Sequence, residues 1–120
     1  ALVELARRGV RLALDDCRAP FDPQPLLPLL PLSAFKLDST AVAALPADAA
    51  QRDYLRSLVA CARSAGCRLV AEGVESEEQL DYLERAGCDA MQGFLLAPPL
   101  PAEAVAGVVR DVAAAPRLVA

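Results

Sequence analysis

Two carboxylates, Asp15 and Asp16, stand side by side where the apolar run Leu12-Ala13-Leu14 ends. Adjacent side chains on a regular strand point to opposite faces. At a strand end, where the backbone turns, both could face one ion or two neighbouring ions. Hard divalent cations such as Mg2+, Mn2+ or Ca2+ take oxygen donors of this kind. A further carboxylate, Glu72, comes after Leu69-Val70-Ala71, and the amide Gln92 after Ala90-Met91. Lys36 lies inside the apolar segment Ala34-Phe35-Lys36-Leu37-Asp38. An ammonium there is costly unless it meets a carboxylate or an anionic substrate. These are the parts of metal-assisted phosphoester hydrolysis, in which metals activate a water and clamp oxygens while a lysine positions water or stabilises charge. Each part also has a plainer reading. An Asp-Asp pair serves turns and helix N-caps. A lone lysine in a short strand serves an internal ion pair or an edge, and Glu72-Gly73 can simply begin a loop. The functional reading rests on several strand ends carrying polar groups together.

The elements that must position these groups alternate along the chain. Ala1 to Arg8 reads as the end of a helix stopped by Gly9, and Val10 to Asp15 as a strand. Pro20 to Pro31 is proline-rich, with room for one short helix, and Ala34 to Asp38 is the second strand. Asp48 can cap a helix running to about Ala65, since Tyr54, Leu55, Leu58, Val59 and Ala62 recur at helical spacing before Gly66. Cys67 to Ala71 is the third strand. Ser76 and Gln79 form a capping box for a helix ending at Ala86-Gly87. Cys88 to Gln92 is the fourth strand, and Ala102 to about Ala114 a last helix. Strands alternating with helices imply an α/β fold with parallel strands, either half of an eight-stranded barrel or a small open sheet. In both, polar residues at the carboxyl ends of successive strands converge on the functional face.

Composition narrows the field. The chain has 120 residues, is 55% apolar and carries a net charge of −4. That balance argues against binding a nucleic-acid polymer, which calls for clustered Lys and Arg. It leaves a phosphate ligand open, because a metal can bring the positive charge. There is no histidine, and the four cysteines form no C-x-x-C pair. A Cys/His zinc site and histidine base catalysis within this chain are both disfavoured. Thiols scattered through apolar segments suit a reduced, cytoplasmic setting. No apolar run approaches the roughly 18 residues of a membrane helix, and no signal peptide is evident.

The motifs resemble the C-terminal half of an EAL domain, the bacterial module that binds and hydrolyses cyclic di-GMP. Ala13-Leu14-Asp15-Asp16 is similar to the start of that family's DDFGTG segment. Phe35-Lys36-Leu37-Asp38 resembles its KID strand. LVAEGVESEEQLDYLERAGCDAMQGFLLAPPLP, from Leu69 to Pro101, resembles its VAEGVET…EQ…GCD…QGY…PLP stretch. The resemblance spans about Leu5 to Ala106 and implies a (β/α)8 TIM-type barrel, of which this chain supplies the last four βα units, with 102–120 as C-terminal helix and tail. It implies Asp15 and Asp16 as metal ligands and Lys36 as the contact to the catalytic water or phosphate. It implies Glu72 in metal binding or as general base, Gln92 in the metal or water shell, Glu75 as support for the loop after Asp16, and Asp38 in substrate binding. The implied cofactor is Mg2+ or Mn2+, and the implied ligand cyclic di-GMP.

Two departures stand beside the match. The family's Glu-Ala-Leu signature and its further Asn and Glu ligands have no counterpart in these residues. The chain is therefore expected to complete its site with a missing N-terminal half or another chain, and a homodimer is one way to cover its open edges. Where the family has Phe-Gly-Thr-Gly-Tyr-Ser-Ser, this sequence has Cys17-Arg18-Ala19-Pro20-Phe21-Asp22-Pro23. Both glycines are gone, and Pro20 fixes φ and lacks an N–H. Three functions stay open: a hydrolase half active once joined to its front half, a degenerate EAL domain that binds cyclic di-GMP or a protein partner without cleavage, and an unrelated metal-dependent barrel enzyme. The isolated chain is expected to be inactive.

Overall fold

A computed structural model of the chain describes residues 1–93. The first helix, α1 (Leu2–Arg7), leads into strand β1 (Leu12–Cys17). A 3-10 turn at Gln24–Leu26 occupies the proline-rich segment, followed by β2 (Leu32–Leu37) and a short helix α2 (Ser39–Ala43). Then come α3 (Ala49–Ala65), β3 (Arg68–Ala71), α4 (Glu77–Ala86) and β4 (Ala90–Met91). The strands form one sheet in the order β1-β2-β3-β4, every pair parallel. This is the alternating α/β pattern read from the sequence. The helix expected from Ala102 and the turn before it lie outside the described residues.

Local chemistry accounts for the boundaries. Asp48 caps α3 by accepting from the Gln51 N–H at 3.2 Å, and Gly66 ends it in the left-handed conformation. Ser76 caps α4 by accepting from the Gln79 N–H at 3.1 Å, with Glu77 and Glu78 favourably placed in its first turn. The Gln79 amide also reaches back, accepting from the Glu75 N–H at 2.9 Å and donating to the Val42 carbonyl at 3.2 Å. The start of α4 is thereby tied to α2.

Several strand bounds need correction, and β4 is only Ala90–Met91 rather than Cys88 to Gln92. Strand β1 does not end at Asp15; it continues to Cys17, which is fully buried and anchors the strand beyond the acids. Strand β2 starts at Leu32, two residues before the expected start at Ala34. It ends at Leu37 rather than Asp38, because the Asp38 carboxylate caps α2, a helix the apolar periodicity did not reveal.

The core lies on one face of the sheet. Phe35, Leu37, Leu69 and Ala71 from the strands meet Leu55, Leu58, Val59, Leu80 and Leu83 from α3 and α4. Burial of a large apolar side chain contributes about 1.5–3 kcal/mol, so this layer carries most of the fold's stability. Period-two alternation leaves the residues between Phe35 and Leu37, and between Leu69 and Ala71, on the opposite face. That face receives the candidate site.

Candidate active site

The register of β1 against β2 explains the paired acids. Leu14 pairs with Phe35 and Cys17 with Leu37, so Asp15 and Asp16 together occupy the place opposite Lys36. Two residues facing one is a β-bulge. The extra residue is absorbed at Asp16, whose φ of 55° lies in the left-handed region. Aspartate tolerates that region better than most residues, and the Asp16 N–H donates to Asp15 Oδ1 at 2.9 Å. A regular strand would send neighbouring acids to opposite faces. Here carboxylate oxygens of Asp15, Asp16 and Glu72 lie within 4.8 Å of one another.

Lys36 sits between the buried Phe35 and Leu37 and so faces away from the core. Its Nζ lies 3.3 Å from Glu72 Oε1, which answers the cost of a lysine in an apolar strand. Hydrogen bonds carry the sheet one rung past its strand ends. The Asp38 N–H donates to the Cys17 carbonyl at 2.9 Å, the Glu72 N–H to Leu37 at 3.1 Å, and the Gln92 N–H to Ala71 at 2.8 Å. Asp38, Glu72 and Gln92 therefore leave the sheet from one edge, at the carboxyl ends of β2, β3 and β4. The Gln92 carbonyl also accepts from the Val74 N–H at 2.9 Å, and Gln92 is exposed.

The remaining expected residues are placed differently. Asp38 is buried, and its carboxylate is engaged within the protein. The Thr40 hydroxyl and N–H donate to it, and Arg18 Nη1 lies 3.7 Å from Oδ2. The Thr40 hydroxyl, above all, holds the Asp38 carboxyl below the usual carboxylate range, with Arg18 acting in the same direction. Glu75 is exposed, and its backbone N–H donates to the Gln79 side chain. Sequence reasoning missed the Arg18–Asp38–Thr40 cluster. The spacing Asp38-Ser39-Thr40 was its available signal, an acid with a hydroxyl two residues on at a helix start.

The donor set suits a hard divalent cation: three carboxylates converge, and Lys36 offsets the charge of one of them. A thiol nucleophile is disfavoured. Burial pushes Cys17 up to about 11, so it is protonated at neutral pH, and its Sγ donates to the Leu14 carbonyl at 3.7 Å.

A family model described as the EAL domain matches residues 1–99. MucR of Pseudomonas aeruginosa, a bifunctional diguanylate cyclase/cyclic di-GMP phosphodiesterase, is 37% identical over 102 residues, covering 85% of this chain and 15% of the relative. A solved MucR phosphodiesterase in complex with c-di-GMP superposes with a TM-score of 0.80 at 36% identity, covering 87% of this chain and 42% of that one. A Klebsiella pneumoniae protein solved with manganese and cyclic di-GMP gives a TM-score of 0.71 at 32% identity, covering 78% and 24%. The chain spans less than half the length of each of these proteins.

Proposed function

The chain belongs to the EAL domain family, and from that premise we propose that it supplies one half of a metal-dependent site that hydrolyses cyclic di-GMP. The observation that carries the reading is the bulge that turns Asp15 and Asp16 to one side, opposite Lys36 and beside Glu72. Asp15, Asp16 and Glu72 would hold Mg2+ or Mn2+, with Gln92 in the surrounding shell; such a cation supplies Lewis-acid activation of water and of the phosphoryl group. Lys36 keeps its ammonium against Glu72 and presents donors to a phosphoryl oxygen or an attacking water. Glu72 serves either as ligand or as general base. Asp38 orients the substrate side of the site, and Glu75 supports the loop after Asp16. The remaining ligands come from further strands, in the same protein or in a second copy. A cytoplasmic setting suits a nucleotide substrate and four unpaired cysteines. Among the described residues no helix is long and apolar enough to cross a membrane.

The altered loop favours a second reading, binding without cleavage. Residues 17–23 lack both family glycines, and the loop is held down, with the Tyr54 hydroxyl donating to the Phe21 carbonyl at 2.7 Å. Product analysis on the full-length protein with Mn2+ decides between them. Linear dinucleotide formed by the protein, and reduced about 100-fold or more in Lys36→Met as for other charge-stabilising groups, supports hydrolysis. Tight binding without product supports the second reading, and neither binding nor product overturns both.

A further inference from the structure

We propose that Arg18 is a phosphate-binding, affinity-determining residue of this chain, gripping an anionic phosphodiester oxygen of the dinucleotide; this role rests on the proposed function of the site. The loop from Cys17 to Gln24 offers an anion few backbone donors. Pro20 and Pro23 have no N–H. The Phe21 N–H donates to the Arg18 carbonyl at 2.9 Å, and the Gln24 N–H to Asp22 Oδ1 at 3.0 Å. Arg18 is the sole cationic side chain of that loop.

Its geometry fits the task. Arg18 directly follows the bulged strand, and its guanidinium stands 3.7 Å from Asp38, which in turn adjoins Asp16. The acidic cluster is thus flanked by a cation on each side, Lys36 against Glu72 and Arg18 against Asp38. The two cations are not equivalent. Asp38 already accepts twice from Thr40, so it aims the guanidinium without saturating it. The Arg18 side chain is 60% exposed, and at 3.7 Å from Asp38 most of its five N–H donors are free of partners among the described residues. A planar fork of donors matches two oxygens of one phosphate group.

The test uses the full-length protein and its Arg18→Ala and Arg18→Lys variants. Dinucleotide affinity is measured at equilibrium with and without Mn2+, beside KM, kcat and thermal midpoint. A lost charge-assisted hydrogen bond weakens binding by about tenfold. Arg18→Ala is therefore expected to raise both Kd and KM by about that factor, with kcat within about twofold and a midpoint lowered only by the small loss of one partly exposed ion pair. The lysine variant should recover part of the affinity. The unaltered protein should lose affinity with rising salt more steeply than Arg18→Ala does. A purely structural arginine would lower the midpoint alone and leave Kd, KM and the salt slope unchanged, which overturns the inference while leaving the proposed function standing. An unaltered protein that neither binds nor cleaves the dinucleotide overturns both.

Discussion

At the scale of single residues, the convergence of the acids comes at a cost to the fold. Asp15, Asp16 and Glu72 bring like charges within 4.8 Å, and Asp16 adopts a left-handed φ that L-residues other than Asn and Asp avoid. Like charges at that spacing destabilise each other, and a cation bound to the folded state reverses the effect. Asp16→Asn removes one charge and tolerates the same φ. Its metal-free thermal midpoint is expected to rise, by the equivalent of about 1 kcal/mol for relief of such a functional clash. Mn2+ at 100 times its dissociation constant adds about 2.7 kcal/mol to a protein that binds it, so the unaltered protein should gain several degrees and Asp16→Asn much less. A variant that melts lower without metal, or responds to Mn2+ like the parent, contradicts the assignment. The identities at this scale were legible in the sequence: an acid pair, an isolated lysine, an acid after the third strand. The bulge was not. It depends on which rung of β2 each β1 residue faces, and a pairing register leaves no mark in the residues of one strand alone.

At the scale of elements, the site depends on how each strand hands over to the next segment. Helices α3 and α4 were readable because their caps are spelled out locally, Asp48 before Gln51 and Ser76 before Gln79. The end of β2 was misread because Asp38 is shared between two signals, last polar residue of a strand and first cap of a short helix; the cap prevails through two donors from Thr40. The end of β4 is secured differently. The Val74 N–H donates to the Gln92 carbonyl, joining the loop after Glu72 to the residue that follows β4. Gly93 makes that approach possible. A Cβ at Gly93 would lie 2.1 Å from the Val74 carbonyl oxygen and 2.3 Å from its nitrogen, far inside contact distance. Gly93→Ala must push the two segments apart. The expected outcome is a loss of about 1–3 kcal/mol, the usual range for overpacking, read as a lower urea midpoint. Hydrogen exchange at the Val74 N–H should accelerate before exchange in α3. A midpoint unchanged within error would show that the Val74–Gln92 contact is not holding the loop.

At the scale of the whole molecule, the described residues cover one face of the sheet and leave the other face bare. Helices cover the side of Phe35, Leu37 and Leu69. The side of Lys36 carries Ala13, Asp15, Asp16 and Arg68, all exposed. Strand β1 pairs with β2 alone among the described residues, so its outer hydrogen-bonding groups form an open edge. Helix α1, which leads into β1, buries no residue, and Leu2, Val3, Leu5 and Val10 are 42–47% exposed. Exposed apolar side chains and an unpaired strand edge each invite a second chain. The acids and Lys36 on the open face oppose association there unless a cation or an anionic ligand neutralises them, which directs contact to the β1 side. The 120-residue chain taken alone is therefore expected to self-associate, with a molar mass and a thermal midpoint that both rise with protein concentration. A charge at the patch separates this from simple misfolding. Leu5→Glu and Val10→Lys together should restore a monomer at concentrations where the parent associates, and leave the far-ultraviolet signature of the helices intact. A monomer whose sharp melt is independent of concentration would mean that the one-sided core, built on Leu55, Leu58, Leu69 and Leu83, is sufficient without any cover on the β1 side.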